Sequence, residues 1–218
     1  MIPPALPPAV AAEVRILALG DSYTIGESVA EDERWPVRLA AMLRARGVPV
    51  VEPTIVARTG WTTDELSSGI DAVRPAPAGP YDLVTLLIGV NNQYRGRTAD
   101  EYRQQFHALL ARAIAFAGSQ PSRVIVLSIP DWGVTPFAKR DQGRDRAGIA
   151  SEIDAFNAIN RDEAARAGAR YVDVTPISRR AATEPGLVAR DGLHPSAAMY
   201  AEWARLALGV TMAALGRS

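Results

Sequence analysis

The sequence contains no cysteine, which excludes disulfides, thiolate metal sites and a cysteine nucleophile. It leaves the redox compartment open, because a chain without thiols tolerates either environment. Histidine is nearly as scarce, and His107 and His194 are the two in the chain. There is no excess of either charge: lysine plus arginine number 24, aspartate plus glutamate 24. No bulk field therefore draws the chain to nucleic acid or to an anionic membrane. The short basic runs at residues 44–46 and 139–146 read as solvated faces, the second interleaved with aspartates. No apolar run approaches the ~20 residues needed to span a bilayer. The first ten residues carry four prolines but no basic start and no unbroken apolar stretch. That composition points to an extended Pro-rich leader over residues 1–13 rather than a signal peptide, with cytoplasmic residence as the default expectation.

What is present is an α/β pattern. With 218 residues, 48% hydrophobic and 22% charged, one domain over residues 14–218 is expected. Residues 14–19 are mostly apolar with no polar face, as in a strand buried on both sides of a parallel sheet, and they run into Gly20-Asp21-Ser22-Tyr23-Thr24. Trp35, Leu39, Met42 and Leu43 recur at helical spacing, and Gly47 closes that helix. Residues 50–57 read as a second strand, placed at an edge by Pro53. Thr62 and Glu65, and again Thr98 and Glu101, have capping-box spacing and predict helix starts. Residues 83–88, 123–129 and 171–174 read as further strands, and residues 199–215 as a closing amphipathic helix. Residues 130–150 show no obvious element, and a helix begins around Ile153 and Phe156. A loop of that length is uncommon unless functional, so with Trp132 and Phe137 it is expected to be a pocket wall or lid. Five strands alternating with helices predict a three-layer α/β/α sandwich around a mostly parallel sheet. The polar turns at Ser22, Gly60 and Asn91 each follow a strand's C-terminal end, which brings them to one sheet edge.

These turns carry chemistry. Acyl transfer by a serine needs a base, a group to orient it, and donors for the oxyanion. His107 follows Phe106 within a predicted helix and is expected to pack or face solvent. His194 lies in Asp191-Gly192-Leu193-His194-Pro195, where a carboxylate three residues upstream can reach Nδ1 and leave Nε2 for the serine. The oxyanion donors would be the backbone N–H groups of Ser22 and Gly60 and the side-chain amide of Asn91. Asp21, Tyr23, Trp61, Asn92, Tyr94 and Trp132 adjoin these residues or lie in the long loop, and are candidate substrate contacts.

Gly20-Asp21-Ser22, Gly60, Gly89-x-Asn91 and Asp191-x-x-His194, in this order, resemble the four sequence blocks of the SGNH hydrolases, also called GDSL esterases/lipases. The resemblance runs from Val14 to about Leu208. It implies a flavodoxin-like sandwich, a triad of Ser22, His194 and Asp191, the oxyanion hole just described, and ester hydrolysis without metal or organic cofactor. One departure is visible: the third block usually ends in aspartate, where this chain has Asn92. Gly26 and Glu27, just after the first block, carry no role that the resemblance assigns.

An α/β-hydrolase is excluded by the lack of a Gly-x-Ser-x-Gly elbow. An acyltransferase would use the same triad with a different acceptor, and a non-catalytic binding module on a flavodoxin-like sheet is the alternative from another class. The expected partner is a small ester, with short acyl or aryl esters, acetylated sugars and lysophospholipids all open. Neither nucleic acid nor stable membrane association is expected, and the chain is compatible with a monomer or homodimer.

Overall fold

The computed structural model describes residues 12–73, 77–140 and 145–217. Of the expected leader, Ala12 and Glu13 fall within this set and are exposed; the rest lies outside it. In chain order the elements are β1 (Ile16–Gly20), α1 (Ser22–Ile25), α2 (Trp35–Arg44), β2 (Thr54–Ala57), α3 (Thr63–Ala72), β3 (Leu83–Leu87), α4 (Val90–Tyr94) and α5 (Ala99–Phe116). They continue with β4 (Val124–Leu127), α6 (Pro136–Arg140), α7 (Arg146–Ala167), β5 (Arg170–Val172), α8 (Thr175–Arg179) and α9 (Ala197–Ala214).

The five strands form one parallel sheet in the order β2-β1-β3-β4-β5. Every residue of β1, β3 and β4 is buried, as expected of central strands covered on both faces. β2 and β5 are partly exposed at the two edges. α2 and α9 pack against each other, while α5 packs between α3 and α7. That gives helices on both faces, the three-layer sandwich the alternation predicts. Trp35 and Leu39 on α2 and Trp203 on α9 are fully buried in the core. Among the described residues no helix is long and apolar enough to cross a membrane.

Differences from the sequence reading are local. The second strand is shorter than residues 50–57: Val50 makes an isolated bridge to Val14, and regular pairing starts only after Pro53, which has no N–H to give. The helix beginning at Trp35, α2, ends at Arg44, and turns carry the chain to Gly47. The segment 130–150 is not without structure. It holds a 3₁₀ turn, Trp132–Val134, then α6 and the first residues of α7; residues 141–144 lie outside the description. α7 begins at Arg146 because Asp145 caps it, accepting the N–H groups of Ala147 and Gly148 at 3.2 and 3.0 Å.

Candidate active site

The register sets the site. Gly20 pairs with both Ala57 and Leu87, so β1, β2 and β3 end level with one another. Ser22, Gly60 and Asn91 follow within a few residues at that edge. β1 and β3 are neighbours at the centre, where the strand order reverses, and such a switch point leaves a crevice beyond the strand ends.

The chain doubles back at Gly20, where a Cβ would lie 2.1 Å from Thr24 Oγ1 and 2.5 Å from the Leu87 carbonyl oxygen. Asp21 caps α1 by accepting the Tyr23 N–H on Oδ1 at 3.0 Å. Ser22 becomes the first residue of that short helix, where an N–H has no intrahelical partner. No protein group among the described residues takes it. Gly60 has φ +84°, a conformation open to glycine. Its N–H is likewise untaken among the described residues. Two successive carbonyls of that loop are held from α4 and its C-cap residue. Arg95 Nη2 donates to the Gly60 oxygen at 2.7 Å, and Asn91 Nδ2 donates to the Trp61 oxygen at 2.9 Å. An amide has two protons, so Asn91 keeps one to give after fixing the loop.

The 191–194 segment is a closed loop. Ala189 N–H donates to the His194 oxygen at 2.7 Å, and Val188 bridges to Pro195. Asp191 Oδ1 accepts the N–H groups of Leu193 and His194 at 2.8 and 3.0 Å. Asp191 Oδ2 accepts from His194 Nδ1 at 2.6 Å and from the Ser28 hydroxyl at 2.6 Å. Partial burial works against this carboxylate's charge, but the bonds from Ser28, Leu193 and His194 outweigh it and hold the acid well below the ordinary carboxylate range. The His194 ring is buried and packs against the edge of Tyr23, with centroids 5.7 Å apart. Burial, then the nearby carboxylates of Asp21, Asp131 and Asp191, push the Tyr23 phenol up, so it stays protonated.

Ser22, Gly60, Asn91 and His194 line one cavity of about 180 Å³. Val90, Tyr94, Trp132, Phe137 and Leu193 supply its apolar wall. Tyr94, Trp132 and Phe137 form an aromatic cluster with centroids 5.4 to 6.5 Å apart. Trp132 is anchored by its indole N–H on Gln93 Oε1 at 2.8 Å. Among the described residues no hydrogen bond joins Ser22 to the His194 ring; the two share the cavity wall. No cluster of three or more metal-ligating side chains occurs among those residues either.

Three candidate contacts stand apart from this cavity. Asp21 is fully buried beneath the serine turn, with Oδ2 unpartnered, and burial pushes its carboxyl up to about 7. Asn92 is fully buried too: its Oδ1 accepts the Thr63 N–H at 3.0 Å and its Nδ2 donates to Thr63 Oγ1 at 2.7 Å, which moors α4 to the start of α3. Trp61 turns away to lie on Gly69 of α3, where a Cβ would meet its ring at 2.1 Å, and it lines an adjoining polar groove with Arg58, Asp64, Glu65 and Arg95. His107 sits on α5 with an exposed side chain, and its Nδ1 pairs with Glu163 at 2.9 Å. Sequence reasoning missed Thr59, Leu193 and Ser28. Leu193 sits inside the His194 loop and could have been included by position; nothing in the sequence marks Ser28.

Among solved structures, the chain resembles TesA at 18% identity, over 92% of this chain and 99% of that one, with a TM-score of 0.69. It resembles the psychrotrophic esterase EstA from Pseudoalteromonas sp., solved inhibited by monoethylphosphonate, at 16% identity over 94% and 100%, with a TM-score of 0.69. Axe2, an acetylxylan esterase from Geobacillus stearothermophilus, matches at 16% identity over 94% and 95%, with a TM-score of 0.66. At these identities the likeness speaks for the fold. No protein of curated function matches the sequence. Residues 18–202 match the GDSL-like Lipase/Acylhydrolase family, a span containing all four blocks. The chain belongs to that family and is a carboxylic ester hydrolase.

Proposed function

We propose that the protein is a serine esterase for small acyl or aryl esters, with Ser22 as nucleophile, His194 as general base and Asp191 as the group that orients it. The observation that carries this reading is the Asp191–His194 pair. Its Nδ1 side is engaged, and its ring lines the same cavity as Ser22 and the untaken N–H of Gly60. Ser22 Oγ attacks the ester carbonyl while His194 takes its proton. The Ser22 and Gly60 N–H groups and the remaining Asn91 proton receive the oxyanion. His194 then protonates the departing alcohol, water enters by the same route, and the acid is released with Ser22 restored. Asp191 stays ionised throughout and stabilises the imidazolium. The aromatic wall and the modest cavity, below the ~300–1,000 Å³ of pockets for drug-sized ligands, favour short acyl or aryl groups over long chains.

The test is hydrolysis of nitrophenyl esters from acetyl to dodecanoyl by the wild type and by Ser22→Ala. Loss of about three or more orders of magnitude in kcat with the fold intact, and an optimum at the short end, is the expected result. Equal activity in both proteins would dismiss Ser22. A phosphonate ester gives a second readout, adding mass to the wild type and none to the variant. An acyltransferase is the second reading, favoured by the polar groove that continues from the cavity across Thr59 and Gly60 and could seat an acceptor. Added alcohols that divert product from acid to new ester would select it.

A further inference from the structure

Just past Ser22 the chain makes a turn that no step of the proposed reaction requires. Gly26 closes α1, and the N–H groups of Gly26 and Glu27 both donate to the Ser22 carbonyl, at 3.1 and 3.0 Å. The turn is therefore tied to the nucleophile's own residue. Glu27 accepts the hydroxyl of Thr59, a residue that lines the cavity beside Gly60. Ser28 follows with φ +67°, one of two non-glycine residues with positive φ among those described. Glycine adopts that conformation freely and side chains rarely do. A serine held there calls for a reason, and its hydroxyl supplies one by donating to Asp191 Oδ2 at 2.6 Å across 163 residues of sequence.

A carboxylate offers about four acceptor positions, and at Asp191 all are filled. Three of the donors, the Leu193 N–H, the His194 N–H and His194 Nδ1, belong to the acid's own loop. They determine the shape of that loop and say nothing of where it sits relative to Ser22. Among the described residues, the Ser28 hydroxyl is the one donor to this carboxylate from elsewhere in the chain, and it comes from the turn bonded to Ser22. We propose that Ser28 is a positioning residue for ester hydrolysis, setting the Asp191–His194 pair in register with the Ser22 nucleophile through a single hydrogen bond. This rests on the triad reading above.

Ser28→Gly is the informative variant. It removes the hydroxyl and supplies the residue that the backbone conformation prefers, so a serine present only to make a turn would be replaced without loss. Ser28→Gly, Ser28→Ala and Ser22→Ala would be compared on a nitrophenyl ester of short acyl chain, measuring kcat, KM and the thermal midpoint. Ser28→Gly is expected to lose about tenfold in kcat through misplacement of the base. Its KM should change by less than about twofold, and its thermal midpoint should move little, relief of the left-handed backbone offsetting the lost hydrogen bond. Water can fill the vacant acceptor position but cannot carry the tie to Ser22, so Ser28→Ala should show the same kcat loss. Wild-type kcat in Ser28→Gly, or a change confined to KM, overturns the proposal. If Ser22→Ala is inactive while Ser28→Gly is unimpaired, the triad stands and only the tie falls. If Ser22→Ala keeps its activity, both fall.

Discussion

The side chain of Asn92 uses both halves of its amide, accepting from the Thr63 N–H and donating to Thr63 Oγ1, whose own proton goes to Gln105. An aspartate, usual at this place in the family pattern, could accept the N–H but could not donate to a hydroxyl already committed elsewhere. Asn92→Asp is therefore expected to cost about 1–3 kcal/mol of stability, read from urea unfolding, with kcat changed far less than by loss of Ser22. Asn91, its neighbour, should behave in the opposite way. Asn91→Ala removes the proposed oxyanion donor and is expected to lower kcat by about 10²–10³, while releasing one carbonyl of the Gly60 loop. Asp191→Asn would keep the outline of the loop but offer His194 the wrong partner, so a fall of about 10⁴ in kcat is expected. The three substitutions would separate the mooring role of Asn92 from the roles proposed for Asn91 and Asp191 by the size of the rate loss alone.

Buried central strands were legible because residues 124–127 are a continuous apolar run and residues 83–87 interrupt theirs only at Thr85. The capping-box signals also held: the Thr62 N–H donates to Glu65 at 2.9 Å at the head of α3, and Thr98 accepts the Glu101 N–H at 3.2 Å at the head of α5. The short helices α1, α4, α6 and α8, of four or five residues each, were not legible. None is long enough to show a 3.6-residue period, and each exists because tertiary contacts hold it. α1, α4 and α6 all present cavity residues, so the fold was easier to read than the details of the site. Gly89, the cap of α4, shows how tightly such an element is set. It has φ +128°, and a Cβ there would lie 2.4 Å from the Tyr102 hydroxyl and 2.8 Å from Ile129 Cδ1. Gly89→Ala is expected to lower stability by about 2 kcal/mol or more and to displace Asn91, which a lowered urea midpoint together with a lowered kcat would register.

Two carboxyl groups near the serine turn give the folded molecule opposing responses to pH. Burial raises Asp21 from an ordinary 3.8 to about 7, so the folded chain holds a proton that the unfolded chain has released. Stability contributed by the neutral acid is complete below about 3.8 and is lost as pH rises through about 7. Asp191 is shifted the other way, and its contribution is present above the ordinary carboxylate range and lost in stronger acid. Asp21→Asn keeps an acceptor for the Tyr23 N–H and removes the first effect. Its thermal midpoint relative to wild type should therefore be higher at pH 8 than at pH 4, and an equal difference at both would count against a buried neutral acid. The parallel sheet has a further consequence. Its level strand ends gather residues 22, 60 and 91, and His194 from the loop before α9 joins them at one cavity; these residues are strung along most of the polypeptide and have no local means of finding one another. On dilution from urea, catalysis should return no earlier than the fluorescence of the four tryptophans, two of which, Trp35 and Trp203, lie fully inside the core. Turnover is then a clock for the completion of folding: a chain either works or has not yet closed its sheet.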